Sequence, residues 1–155
     1  DADEAFGFIE GRLLALIFGM LIVGAGLEAS GAVRLLVEAL APHLQGLPHW
    51  ALLLAVYAIA GILTELVSNN AVAVIVTPVA IGLAQTMGVD PRPLVVAVMF
   101  AASAAFATPI GYQTNTLVYS AGGYRFSDFL KIGVPLNLVM FAASMIVIPM
   151  FWPLV

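Results

Sequence analysis

Thr64-Glu-Leu-Val-Ser-Asn-Asn70 interrupts an apolar stretch that runs from Trp50 to Met87, and the reading of this interruption decides the fold. The flanking arms, Trp50 to Val67 and Ala71 to Met87, are each roughly 26 Å long as helices at 1.5 Å per residue, close to the ~30 Å of a bilayer core. Two readings are open. Ser68-Asn69-Asn70 is either an exposed turn between two spans, with Ser68 capping the second, or the tip of a hairpin that enters and leaves the membrane on one side. Pro78 removes a backbone donor from the second arm and should kink it.

A second interruption lies downstream. An apolar helix from Pro93 reaches Phe106, Ala107-Thr-Pro-Ile-Gly-Tyr-Gln-Thr-Asn-Thr116 breaks it, and a shorter helix from Leu117 to Ala121 ends at Gly122-Gly123. A plain loop before a surface helix competes here, but the short apolar segment followed by Gly-Gly favours a broken span. Unpaired backbone groups in hydrocarbon cost several kcal/mol each, so such breaks persist only when buried in protein or lining a cavity. Broken helices also offer useful ends: N–H groups and a positive dipole for an anion, and free carbonyls for a cation. Neutral Ser, Thr, Asn and Gln can hold an anion without fixed charge, so the ligand can leave again. The spacing suggests coupled anion and cation sites at mid-membrane.

Everything around the two breaks is apolar. The 155 residues are 63% hydrophobic and 9% charged, with mean hydropathy +1.10, where a soluble domain carries about 25% charge. Segments 39–64, 66–89, 93–124 and 132–155 contain no Asp, Glu, Lys or Arg. The expected fold is an all-α membrane protein. Absence of cysteine excludes disulfides and thiolate metal sites. A net charge of −4 with five scattered cations leaves no phosphate-binding stripe, which excludes nucleic-acid binding. The chain starts at Asp1 with four acids in its first ten residues, unlike a basic signal peptide, and reads as part of a longer protein.

The remaining elements follow from periodicity and punctuation. Residues 9–27 form a first span, with glycines that permit close helix approach. Ala32 to Ala41 places Val33, Leu36, Val37 and Leu40 on one face and pairs Arg34 with Glu38; too short to span, it suits the membrane surface, with Pro42 closing it. Gly88 to Pro93 is a solvent loop. Ser127 and Asp128 resemble an N-cap and first-turn acid, and Pro135 suits the first turn of a final span over 135–152. Arg125 and Lys131 make the 122–131 loop the cytoplasmic candidate, which places the C-terminus and the 50–87 hairpin's open end outside.

Thr64-Glu-Leu-Val-Ser-Asn-Asn70, Thr77-Pro78, Thr108-Pro-Ile-Gly-Tyr-Gln-Thr-Asn115 and Tyr124-Arg-Phe-Ser-Asp-Phe-Leu-Lys-Ile-Gly133, in that order, resemble the divalent anion:sodium symporters. These are the sodium/dicarboxylate–sulfate carriers of the ion transporter superfamily. The Gly-Tyr-Gln-Thr-Asn and Gly-Gly-Tyr-Arg-Phe stretches look most like members with inserted TrkA-C-like domains. The resemblance covers nearly the whole chain but only the family's C-terminal inverted repeat. It implies a half-transporter with a re-entrant hairpin over 50–87 (tip 68–70), a discontinuous span over 93–121, elevator-type transport, a missing N-terminal repeat and a homodimer in the plasma or bacterial inner membrane. By this resemblance Ser68, Asn69, Asn70, Gln113, Thr114 and Asn115 face a small anionic substrate, sulfate or a dicarboxylate. Asn69 and oxygens near Thr64, Val67 and Gly111 would hold a sodium ion. Asn70 stands where the family often has Thr, and Gln113-Thr114 replaces the prolines of dicarboxylate carriers.

Glu65 is the one acid well inside an apolar stretch. Intramembrane acids are often ion ligands or proton relays; a structural partner near the tip is favoured here. His43 and His49 sit beside prolines without a third ligand, so they suit an interface rather than a metal site. Trp50 and Trp152 fit interface anchors, and Asn137 a contact with a neighbouring helix. The alternatives are another carrier of the superfamily (arsenite, citrate or sodium/proton exchange), an intramembrane enzyme and a structural subunit. No Gly-x-Ser-x-Gly, His-Glu-x-x-His or pair of mid-membrane aspartates supports an enzyme.

Overall fold

The computed structural model describes residues 29–44 and 46–154, with 15, 18–19, 22–23 and 25–27 ahead of them. The expected 9–27 span lies largely outside the described residues. Among those described there is no strand. Among the described residues from 32 onward six helices follow one another: α1 (Ala32–Leu44), α2 (His49–Thr64), α3 (Asn69–Met87), α4 (Pro91–Ser103), α5 (Gln113–Gly122) and α6 (Phe126–Phe151). The protein is an all-α membrane protein. By length and apolarity α3 and α6 can each cross a bilayer, whereas α2 and α4 are shorter apolar helices.

Local chemistry sets most helix ends. Ser68 is extended and its hydroxyl accepts from the Ala71 amide, capping α3. Gly88 closes α3 in the left-handed region at φ 70, where a Cβ would be strained. Asp90 then caps α4 by accepting from the Arg92 amide at 2.9 Å, with Pro91 in the first turn. The Asp128 carboxylate accepts from the Arg125 amide at 2.9 Å and starts α6.

Helix α4 is the centre of the packing. Leu94, Ala97, Val98, Ala101 and Ala102 are buried at helical spacing and carry α4 against α2 and α3, with α6 on a further side. Without a hydrophobic driving force between helices in lipid, close van der Waals contact of small residues supplies the association. Helix α1 packs on α3 through Val37 and Ala41, with Val37 lying over Gly82. Its Arg34–Glu38 pair is exposed at 2.7 Å, and hydrogen bonding to Glu38 raises the Arg34 pKa.

Helix α6 serves as a ruler. At 1.5 Å per residue, Asn137 lies about 16 Å from its first residue and about 21 Å from its last. The Asn137 side chain bonds Glu65 at the end of α2. At the other end, His49 Nδ1 lies 2.9 Å from the Leu154 carbonyl oxygen. Gly46 to His49 also share a cavity with Thr86 and Met87. The open ends of α2 and α3 thus meet beside the C-terminal end of α6, and the residues joining them lie near its middle.

Several boundaries differ from the sequence reading. Helix α1 runs through Pro42 to Leu44, because a proline near a C-terminus removes one hydrogen bond without forcing a stop. Helix α4 ends at Ser103 rather than Phe106, since the Ala102 and Ala105 carbonyls bond Thr64 and Asn115 instead of continuing the helix. Helix α5 begins at Gln113, not Leu117, after an extended Tyr112. The last helix starts at Phe126 with Pro135 inside it; the cap made by Asp128 sets the start, and the proline only deprives the Lys131 carbonyl of its partner.

Gly133 is where α6 meets the break. A Cβ there would overlap the Phe106 carbonyl and the Ala107 Cα. Both are backbone atoms that cannot swing aside. Gly133→Ala is expected to destabilise the protein by about 1–3 kcal/mol through overpacking, read as a lowered thermal midpoint in detergent. Gly123→Ala, in open space but at φ +64, serves as a backbone-strain comparison.

Candidate functional site

Two helix starts and one helix end converge beside Thr64. This residue is fully buried, and its hydroxyl oxygen lies 2.8 Å from both Asn69 Oδ1 and the Ala102 carbonyl oxygen. One hydroxyl hydrogen cannot serve two acceptors fully. The Thr64 hydroxyl, the Asn69 side-chain amide and the Ala102 carbonyl thus form one cluster of uncharged polar groups. The Thr64 carbonyl faces Gly111 so closely that a Cβ there would come within 3.1 Å of it. Gly111 in turn donates its amide to Thr108 Oγ1 at 3.1 Å, and that hydroxyl donates to the Glu65 carbonyl at 2.9 Å.

Of the proposed cation ligands, Thr64, Asn69 and Gly111 are thus brought together. Val67 is exposed beside them, its amide bonded to the Leu63 carbonyl. Of the proposed anion ligands, Ser68, Asn69 and Asn70 cap and open α3, while Gln113, Thr114 and Asn115 form the first turn of α5. First-turn amides of a helix lack partners within the helix and carry the positive end of its dipole. Ser68, Asn70, Gln113 and Thr114 are exposed. Asn115 differs: both its amide hydrogens are engaged, by the Ala105 carbonyl at 2.8 Å and the Thr108 carbonyl at 3.0 Å. It holds the break together and has no side-chain donor left for an anion.

Glu65 fastens this assembly to α6. Its Oε1 accepts from the Ala107 amide at 2.9 Å and from Asn137 Nδ2 at 2.6 Å. The favoured structural role has its partners here. Oε2 of Glu65 and Oδ1 of Asn137 are buried without a partner. Sequence reasoning missed Gly133 as a contact and Asn137 as the partner of Glu65. A lone asparagine in an otherwise apolar span, one turn from a glycine, was the available signal. Among the described residues His43 bonds within its own helix, at the Ala39 carbonyl.

The family model described as citrate transporter matches residues 1–153. An uncharacterized transporter of Synechocystis sp. is 40% identical over 152 residues, covering 96% of this chain and 24% of that protein. An uncharacterized transporter of Escherichia coli is 38% identical over 153 residues, covering 99% of the chain and 25% of that protein. Sodium/sulfate cotransporter 1 of Chlamydomonas reinhardtii is 34% identical over 137 residues, covering 87% and 15%. The chain spans about a quarter or less of the length of these relatives.

Thr64→Val keeps the shape of the residue and removes its side-chain hydroxyl. Asn69 Oδ1 and the Ala102 carbonyl then lose their shared donor in a buried position, at about 1–3 kcal/mol. A lowered thermal midpoint is expected for Thr64→Val and a near wild-type midpoint for Thr64→Ser, measured on the full-length protein in detergent.

Proposed function

The chain belongs to the citrate transporter family, and from that premise we propose that its parent protein is a sodium-coupled secondary transporter of a small divalent oxyanion. Transport, a membrane location and a non-enzymatic role come with the family. Sulfate is the first substrate proposed, because relatives named as sodium/sulfate cotransporters align with most of the chain. A tricarboxylate is the second reading, favoured by the description of the matching family itself.

One observation carries the mechanism: the N-terminal ends of α3 and α5 and a cluster of uncharged oxygens lie around one buried residue, Thr64. Sodium enters as a co-transported substrate, held by Asn69 together with oxygens of Thr64, Val67 and Gly111. The anion is held by the first turns of α3 and α5, with Ser68, Asn69, Asn70, Gln113 and Thr114 as donors and Asn115 as the residue that positions them. Neutral donors at helix N-termini attract an oxyanion and still release it. Asn69 joins the two ligands, since its carbonyl faces the cation cluster while its amide hydrogens are available to an anion.

In this reading α2 and α3 form a re-entrant hairpin. The position of Asn137 near the middle of α6, a helix long enough to span, supports a tip near the bilayer midplane. The other half of the site comes from an N-terminal repeat, and elevator-type movement of the hairpin with the broken α4–α5 span carries the ligands across a bacterial inner or plasma membrane. Homodimerisation belongs to the same proposal.

Sodium-driven anion uptake by the full-length protein in vesicles is the direct test. Asn69→Ala is expected to lose anion binding and sodium response together, whereas Gln113→Ala weakens anion binding and keeps most of the sodium response. Each lost hydrogen bond to a charged ligand is worth roughly 1.5–3 kcal/mol, about ten- to a hundredfold in affinity. Wild-type behaviour of Asn69→Ala would remove the hairpin tip from the site. A cysteine replacing Ser68 tests depth separately: a membrane-impermeant thiol reagent should reach it from one side, with sodium and anion slowing the reaction. Fast labelling indifferent to both ligands would put residues 68–70 in an ordinary exposed turn.

A further inference from the structure

We infer that the groove between α2 and α6 is a binding site for a small lipophilic amine, held as its ammonium by Glu65 and Asn137. The groove encloses about 530 Å³, within the roughly 300–1,000 Å³ of small-molecule sites, and it has their composition of apolar walls with a few convergent polar groups. Ala58 and Gly61 of α2 form one wall, Val134 and Leu138 of α6 the other, and Ala104 and Ala107 come from the break. Among the described residues its lining includes neither the first turn of α3 nor that of α5.

The two ends of the groove differ. At one end Glu65 Oε2 and Asn137 Oδ1 are buried with no partner among the described residues. The 2.6 Å bond from Asn137 Nδ2 to Glu65 Oε1 sets the orientation of the amide. Its nitrogen faces the carboxylate, so the free atom is the oxygen. This end therefore offers two acceptors, one of them anionic, and calls for a positive ligand with at least two N–H donors. A protonated primary amine has three, and charge-assisted bonds to a carboxylate are stronger than neutral ones. Glu65 is half-buried, so water still reaches this end and the ammonium keeps its charge there. Two helical turns along α2, the edge-to-face pair of Tyr57 and Phe141 at 5.3 Å marks the other end, an aromatic wall for an apolar tail.

Size and depth select the occupant. Spread over the ~12 Å rise from Tyr57 to Glu65, the groove has a cross-section of roughly 45 Å², about half that of a helix with its side chains. A chain or a ring system fits; a further helix does not. Asn137 lies near the middle of α6, a helix long enough to span, whereas a phospholipid ammonium stays with its phosphate at the surface. The ligand is thus a single small molecule that enters from the hydrocarbon.

Octylammonium is the probe, read by the thermal midpoint of the full-length protein in a nonionic detergent, since a ligand of the folded state raises the midpoint with concentration. Octyltrimethylammonium keeps the charge and tail without an N–H donor, and octanol keeps a donor without charge. Gly61→Leu blocks the groove: a Cβ at Gly61 meets only Tyr57 Cε1, at 4.0 Å, so the side chain enters open space, and leucine also favours the helix. Glu65→Gln keeps an oxygen for the Ala107 and Asn137 donors and places an amide nitrogen where the free acceptor stood. Octylammonium is expected to act on the wild type at about tenfold lower concentration than either comparison compound. Gly61→Leu should abolish the shift. Glu65→Gln should demand about ten- to a hundredfold more probe, the loss of a hydrogen bond to a charged group. Equal shifts in wild type and Gly61→Leu, or equal responses to octylammonium and octyltrimethylammonium, overturn the proposal, because partition into the detergent then accounts for the effect. No shift in the wild type overturns it as well and leaves the groove to the rest of the parent protein. Should Glu65→Gln fail to fold, Gly61→Leu and the trimethyl probe decide. None of these readouts requires transport, so the sodium-coupled reading can fail while this site stands.

Discussion

The structure depends on how the break between α4 and α5 satisfies its own backbone. A chain that leaves helical geometry in an apolar surrounding exposes amides and carbonyls that water cannot reach. Here several of the freed groups meet side chains from the end of α2 or from the first turn of α5. The Ala107 amide finds Glu65, the Ala102 carbonyl finds Thr64, the Ala105 and Thr108 carbonyls find Asn115, and the Pro109 carbonyl finds Thr116. Two of these partners sit at the α2 end of the 65–68 connection. The break and the connection therefore complete each other, and neither is stable in this geometry alone.

Close backbone approach is the price of that arrangement, and it explains the composition of the crossing. Alanines 97, 101, 102, 104, 105 and 107 are buried where α4 and the break pass between their neighbours, and Gly133 gives α6 a flat spot for the 106–107 peptide. Asn137 lies one turn beyond Gly133, so a single face of α6 both admits the break and fastens Glu65. Larger residues at these positions would move the backbone outward and lengthen every hydrogen bond just named. The bulky apolar residues are instead displaced to the outside of α6, where Ile132, Leu138, Val139 and Ile146 are exposed.

Hydropathy and punctuation made the helical class, the membrane location and the two interruptions legible, because those depend on local composition. Helix ends were legible where the cap is local, as at Ser68 and Gly88, although α4 starts at Pro91, inside the segment read as a solvent loop, with Asp90 as its cap. They were misplaced at Phe106, Leu117 and Pro135, where partners distant in sequence or a stronger cap decide. The Thr64–Ala102 bond spans 38 positions and the Glu65–Asn137 bond 72, far beyond any periodicity argument. Family membership was legible from the order of the motifs. The bonds of Asn115 to the Ala105 and Thr108 carbonyls were not legible, because an asparagine offered as a ligand and one engaged by backbone carbonyls look alike in a sequence.

The polar residues at the site divide into two kinds, and the division follows what each must do. Those with their hydrogen-bonding groups committed, Thr64, Thr108, Asn115 and Thr116, sit behind the helix ends and hold them in register. Those at the exposed first turns, Ser68, Asn70, Gln113 and Thr114, carry no charge. A carrier that fixed a cationic side chain at the anion site would bind tightly and release slowly, whereas helix dipoles and neutral donors give a shallower well. Among the described residues the acid beside them is Glu65, and its bonds to the Ala107 amide and to Asn137 tie the break to α6. That acid thus serves the scaffold, while the side chains left at the exposed helix starts are neutral.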